Sequence, residues 1–456
     1  MECARKTSRF NVHFNGVADI AFKALVLLLI ILGTSTSLFS YAAFGLVLVY
    51  LLISNDECCV NCAFFLLPFA NIFKPSPSES SLFTYLTIIL ALRLILRKRY
   101  IEKRFVIAWL SLLLFQILGS NMNLNLIIKQ AAVLLLVYGF FHCCETDPKQ
   151  LVFNLAIGVL ISCVVANMTD ILPGLSSYLR TVYAYEISMD VYRFTGLYSD
   201  PNYLSKTLIL LCTSFFVLIQ KKEISSRCWI LVALLVACGT QTISKSFYLM
   251  LIVMVVLFSV IAVKNRRYSV LVAIFLICAV VAFLFFSGKL SVFDDVMKRF
   301  SASGDVTTGR TAIWKMYLDA IVSSPLNLLF GFGIGHSLNY MAHNTYIDFL
   351  YYYGIFGSLI YVVGLDYAFG RKIRYNGIMN WAPAISVMIV VFFLSNLLMF
   401  DFSFDLILIL SFVAQGSDLQ VNKLIEENYD NSSCSRVQCR SRNSAVSEFS
   451  SESNLP

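Results

Sequence analysis

Charge is scarce in this chain. Lys, Arg, Asp and Glu together make up 14% of its 456 residues, where a soluble domain carries about 25%. Apolar residues reach 58% and come in long runs. A soluble core cannot absorb that much apolar surface, so the composition excludes an ordinary globular enzyme and points to a membrane protein. The period-two alternation of barrel strands is also missing, which leaves helices as the spanning elements. No small-residue cleavage site follows the first apolar run, which therefore reads as an uncleaved span. The 13 cysteines form no disulfide framework. "CCVNC" (58–62) and "HCC" (142–144) fall at the face where disulfides are rare. They read as small apolar residues in or near helices, and a zinc site would need four organised ligands. The basic excess, 35 against 27, does not call for nucleic acid, because its distribution fits membrane orientation better.

What is present is a series of apolar runs. A hydrocarbon core needs about 17–25 apolar residues per helix. Candidate spans lie near 18–34, 37–54, 59–73, 81–97, 105–120, 124–142, 150–169, 203–220, 228–243, 246–263, 268–287, 345–365, 382–399 and 402–416. With short and poorly separated runs merged, the reading is an all-α polytopic bundle of about 11–14 transmembrane helices. Residues 1–416 form this bundle and 417–456 a polar tail, disordered by composition. The basic clusters at Arg5/Lys6/Arg9, 97–104, 221–227, 264–267 and 371–374 then all fall on one side. By the positive-inside rule that side is cytoplasmic, with both termini on it. Two longer loops, about 170–202 and 288–344, face the other side, and function tends to gather in such loops.

The informative cations are those left on the outer face. In "YRFTGLYSDPNYLSK" (192–206), Asp200-Pro201 reads as a helix start, aspartate as N-cap and proline at the first helical position. Arg193 and Lys206 flank it, and a guanidinium beside a helix N-terminus suits an anion. The competing reading is a capped helix whose arginine meets lipid headgroups. In "SASGDVTTGRTAIWKMYLDAIVSSP" (301–325), Ile313, Trp314, Tyr317, Leu318 and Ile321 share one helical face, opposite Thr311, Lys315, Asp319 and Ser323. That pattern predicts an amphipathic helix lying in the interface, with Arg310 at its start, either holding a lipid-borne anion or anchoring the helix. Lys245, in the tight turn of "TISKS", either joins an anion site or snorkels, and Lys129 is a similar intramembrane cation. In "GFGIGHSLNYMAHNTYIDFLYYYG" (331–354), the glycines lack a dinucleotide-binding spacing and read as tight turns against a partner. Asn344 is a plausible N-cap for the next span. His343 is either an interfacial histidine or a working one, and about 140° of helical rotation from Asp348 argues against a direct relay. The tyrosines at 346, 351, 352 and 353 either stack on sugars or form an interfacial belt, and the belt fits better.

The order of these features resembles the bacterial O-antigen ligase and polymerase superfamily. The resemblance rests on "RFTGLYSDPNYLS", "TISKS", "TGRTAIW" and "SPLNLLFGFGIG" followed by "HNTYIDFLYYYGIFG", and covers about 190–370. It implies a membrane glycosyltransferase (GT-C-like) fold with two larger periplasmic loops, in the bacterial inner membrane. The implied activity is glycosyl transfer from a glycan on undecaprenyl pyrophosphate, without metal or other cofactor. Arg193 and Arg310 match arginines implied to hold the pyrophosphate, and His343 a histidine near the acceptor. Lys245 stands where relatives often carry "SR", which keeps the charge and loses the fork. With Asp200, Asn202, Lys206, Asn344 and Tyr346 it completes the substrate-binding candidates. The expected partners are the lipid-linked glycan, membrane lipids and a chain-length regulator, with no nucleic acid. Polymerisation of O-antigen or capsule repeats is the leading expectation, ligation to lipid A–core the second, and a lipid-linked oligosaccharide flippase the third.

Overall fold

The computed structural model describes residues 16–98, 101–117, 124–144, 147–179, 183–186, 191–264, 310–333, 341–373, 378–394 and 403–414, with scattered positions in 265–300 and 334–340. The tail from 415 and most of the 268–287 span lie outside the described residues. Elsewhere each expected span contains a helix over its described residues. The helices are Gly16–Gly33, Ser37–Ile53, Asp56–Leu66, Leu82–Lys98, Lys103–Ile117, Leu124–Val137, Pro148–Ala166, Pro201–Gln220, Trp229–Gln241, Lys245–Lys264, Thr345–Ile373, Ala382–Val390 and Ser403–Ala414. Five of these regions are long and apolar enough to cross a membrane: Gly16–Gly33, Pro148–Ala166, Pro201–Gln220, Lys245–Lys264 and Thr345–Gly370. The chain is an all-α, multi-pass membrane protein. Helices suit such a chain because each one satisfies its own backbone polar groups in lipid. The expected 59–73 span is instead a shorter helix ending in a 3₁₀ turn, Leu67–Phe69, that begins where Pro68 interrupts the ladder.

Pro201–Gln220 is the centre of the bundle. Its residues are buried without a break from Leu204 to Gln220, which is how a helix enclosed by others reads. Helices Pro148–Ala166, Trp229–Gln241, Lys245–Lys264 and Ala382–Val390 surround it. Its start is as expected, since the Asp200 carboxylate accepts the Asn202 amide at 2.7 Å.

The loop regions depart from expectation in three ways. First, the 170–202 segment holds a small antiparallel hairpin, β1 (Tyr183–Glu186) with β2 (Val191–Phe194), with Ala184 opposite Arg193. Second, the helix Arg310–Val322 turns part of its apolar face to protein. Tyr317 and Ile321 are each 2% exposed, packed on Ala342, Ile347 and Tyr351. Lipid contact was expected of that whole face; the start of the next long helix takes Tyr317 and Ile321 from it, while Leu318 stays 44% exposed. Third, the tyrosines do not form a belt. Tyr351 and Tyr353 are fully buried and only Tyr346 is exposed, because successive tyrosines on a helix point in different directions.

Thr345–Ile373 is two helices joined at a break. Gly354 adopts φ +62° and Gly331 φ +74°, both in the left-handed region that glycine tolerates. A Cβ on Gly354 would lie 2.5 Å from the backbone of Gly331 and Leu329, so the two chains cross without side chains between them. The break frees helix carbonyls, and the crossing segment satisfies them. Phe332 donates its amide to the Tyr351 carbonyl at 2.8 Å, and Gly333 to Tyr352 at 3.0 Å. The expected tight turns of this glycine segment are real, and their partner is the broken helix.

Candidate functional site

Arg193 lies on β2 and is buried. Its Nε donates to the Thr242 carbonyl at 3.2 Å and a terminal nitrogen donates to Asn202 Oδ1 at 2.9 Å. Three segments far apart in sequence meet here: the hairpin, the first turn of the central helix and the "TIS" turn. Ile243 in that turn has φ +47°, an unusual conformation for a β-branched residue. Lys245 follows as the half-buried first residue of Lys245–Lys264.

Arg310 opens the amphipathic helix and is half-buried. It donates to the Phe393 carbonyl at 3.0 Å. Two further bonds dock this helix and the following span. Trp314 donates its indole N–H to the Ala342 carbonyl at 2.8 Å, and the Thr345 hydroxyl donates to the Leu394 carbonyl. The turn 391–394 thus takes donors from both the helix start and the mouth of the next span.

His343 lies just before the mouth of the span that Thr345 begins. Its backbone is left-handed, φ +50°, a conformation histidine adopts more readily than most residues. Asn344 then caps the helix, its Oδ1 accepting the amides of Tyr346 at 3.0 Å and Ile347 at 3.2 Å. Burial, and next the Arg310 guanidinium, push the imidazole below its ordinary pKa, while the Asp200 carboxylate opposes them. Charges from both assemblies, Arg310 on one and Asp200 on the other, therefore bear on the ring. A neutral imidazole near neutral pH has a lone pair to accept a proton.

Of the expected residues, Arg193, Asp200 and Asn202 are joined on one side. Arg310 and Thr345 meet on the other at the 391–394 turn, beside His343 and Asn344 in sequence, and the charges of Asp200 and Arg310 both act on His343. Lys206 is drawn away. It is 0% exposed and its Nζ lies 2.6 Å from Asp405 Oδ2, so its charge is engaged inside the bundle. Tyr346 is exposed and gives its hydroxyl proton to the Met388 carbonyl at 2.8 Å. Lys129 is exposed on its helix.

Residues 229–362 match the family model described as O-antigen ligase. The match supports the resemblance already carried by the motifs, and with it a glycosyl-transfer enzyme of the O-antigen ligase/polymerase type in polysaccharide biosynthesis. No curated protein matches the chain. The matched segment contains Lys245, Arg310, His343, Asn344 and Tyr346. Arg193, Asp200, Asn202 and Lys206 precede it, so the O-antigen ligase-like segment and the segment before it each supply one arginine.

Four contributors escaped sequence reasoning: Ser244, the 391–394 carbonyls, Trp314 as a donor, and Asp405. Backbone carbonyls leave no trace in a sequence. Asp405 left one, an acidic residue in an apolar run, which marks a functional or paired position by default.

Proposed function

We propose that this chain polymerises undecaprenyl-pyrophosphate-linked repeat units of O-antigen or capsular polysaccharide, at the periplasmic face of the bacterial inner membrane. Both termini are then cytoplasmic, as the basic clusters suggest. The observation that supports the reading is that His343, biased toward its neutral form, is under the charge of Arg310 and of Asp200, whose helix start also holds Arg193 through Asn202. In the proposed step the acceptor hydroxyl oxygen bonds to the anomeric carbon of the donor sugar as the sugar–pyrophosphate bond breaks. The hydroxyl proton passes to His343, and the pyrophosphate leaves with the electron pair. The arginines stabilise that leaving charge, a task that preorganised donors perform well in a site shielded from water. His343 is held with its lone pair available by burial and by Arg310, which suits it to take the proton.

The description of the matched family favours a second reading, ligation of the glycan to lipid A–core. The chemistry is the same and the acceptor differs. A deletion strain separates the two on a glycan gel. Loss of a polymerase leaves core bearing one repeat, while loss of a ligase leaves bare core and accumulated lipid-linked chains. Complementation with Arg193→Ala, Arg310→Ala or His343→Ala is expected to leave the deletion pattern unchanged at normal membrane abundance. Wild-type chain lengths in any of these strains would remove that residue from the mechanism.

A further inference from the structure

Asn202 Oδ1 accepts two hydrogen bonds, one from Arg193 at 2.9 Å and one from the Ser244 hydroxyl at 2.9 Å. A guanidinium has donors only, so the amide must turn its oxygen toward Arg193. Ser244 has one proton. Once that is given to Asn202, its lone pairs face the Ser246 hydroxyl at 2.9 Å, with the Ser205 hydroxyl at 3.3 Å shared with the Asn202 backbone carbonyl at 2.9 Å. Ser205 and Ser244 are 0% exposed, so water does not compete for these bonds. The second anchor of Arg193, the Thr242 carbonyl, is the residue before the left-handed Ile243. One short turn therefore supplies both a direct acceptor for Arg193 and the hydroxyl that orients its other acceptor.

We propose that Asn202 and Ser244 are positioning residues for Arg193. Ser244 fixes the direction of the Asn202 amide, and the amide fixes the plane of the guanidinium toward the leaving pyrophosphate. This inference rests on the functional reading above, and it moves Asn202 from substrate contact to support of the arginine. The hydroxyls of "TISKS" thereby acquire a task separate from the charge of Lys245.

The test uses the full chain in proteoliposomes with undecaprenyl-pyrophosphate-linked repeat units, measuring kcat and KM for the lipid-linked donor. Asn202→Ala is expected to lower kcat/KM about tenfold, the scale of one hydrogen bond to a charged group, and Ser244→Ala about threefold, the scale of a neutral one. Asn202→Asp decides between positioning and mere packing. It keeps the shape and can accept both bonds, but sets a carboxylate against Arg193. Its abundance and unfolding temperature are expected to equal wild type, while its KM for the donor rises at least as much as in Asn202→Ala. A merely structural amide would tolerate that exchange, so wild-type kinetics in Asn202→Asp overturn the inference. Should Asn202→Ala fail to accumulate, Asn202→Asp still decides. Full activity of Arg193→Ala would defeat the functional reading and this inference together. An inactive Arg193→Ala beside wild-type Asn202→Asp and Ser244→Ala defeats the positioning inference alone.

Discussion

Arg193 and Arg310 are held on very different mounts. Arg193 is buried on a hairpin and bonded to the central helix and to the turn between two others. Arg310 is half-buried at the start of an amphipathic helix, and its docking depends on a 3₁₀ turn and on one indole hydrogen bond farther along. The first arginine is preset by the bundle. The second is set by how a loop helix seats itself. A pair of this kind can keep one end of an elongated anion fixed while the other end is adjusted, and it predicts that the two halves fail in different ways.

The largest expected effect falls on the preset half. Lys206 and Asp405 pair inside the bundle with side-chain exposures of 0% and 4%. Lys206→Met leaves a buried carboxylate without its cation and should cost about 3–5 kcal/mol, read as a lowered unfolding temperature in detergent. The double variant Lys206→Met/Asp405→Leu should recover most of that loss. A single variant as stable as wild type would mean that this pair does not pin the central helix beneath Arg193.

A smaller effect is expected on the seated half. Trp314→Phe keeps a ring against Phe392, 5.3 Å away, but loses the bond to the Ala342 carbonyl. The loss is about 1 kcal/mol, and activity should fall several-fold with an unchanged unfolding temperature. Equal losses in both measurements would show that this helix is part of the bundle's stability, and the contrast between the two mounts would fade.

The smallest effect is a pH shift at His343, where the halves meet. Its pKa is lowered in the fold, so the neutral ring persists below the ordinary value near 6.5. Activity that needs the neutral ring should be lost only as pH falls through the lowered value. Arg310→Gln removes a charge that lowers the pKa and should move it up. Asp200→Asn removes one that raises it and should move it down. Titration of isotope-labelled histidine by NMR reads both directions without needing turnover. Movement in the same direction in both variants would sink the placement of His343 between them.

The helices were legible in the sequence because apolar runs of membrane length leave few alternatives. So were the caps at Asp200 and Asn344, whose side chains act on amides two or three residues away. The hairpin was not, since its strands are four residues each and lie in a polar loop. The inward turn of the amphipathic helix was not legible either. Periodicity reveals that a helix has an apolar face, but lipid and protein both satisfy it. Lys206 looked like an anion ligand from its distance to the helix start, and only the fold brings Asp405 to it. The candidate site residues read as separate segments, and which of them pair depends on contacts remote in sequence.

The crossing at Gly331 and Gly354 has a consequence for His343. Backbone bonds from Phe332 and Gly333 to Tyr351 and Tyr352 tie the base of a loop on which His343 rides about midway. A loop whose ends are tied has already lost much of the chain entropy that an open one would lose on ordering. The imidazole therefore searches a small volume, and in the proposed reaction its effective concentration near an acceptor hydroxyl would be set in part by two glycines remote from it in sequence.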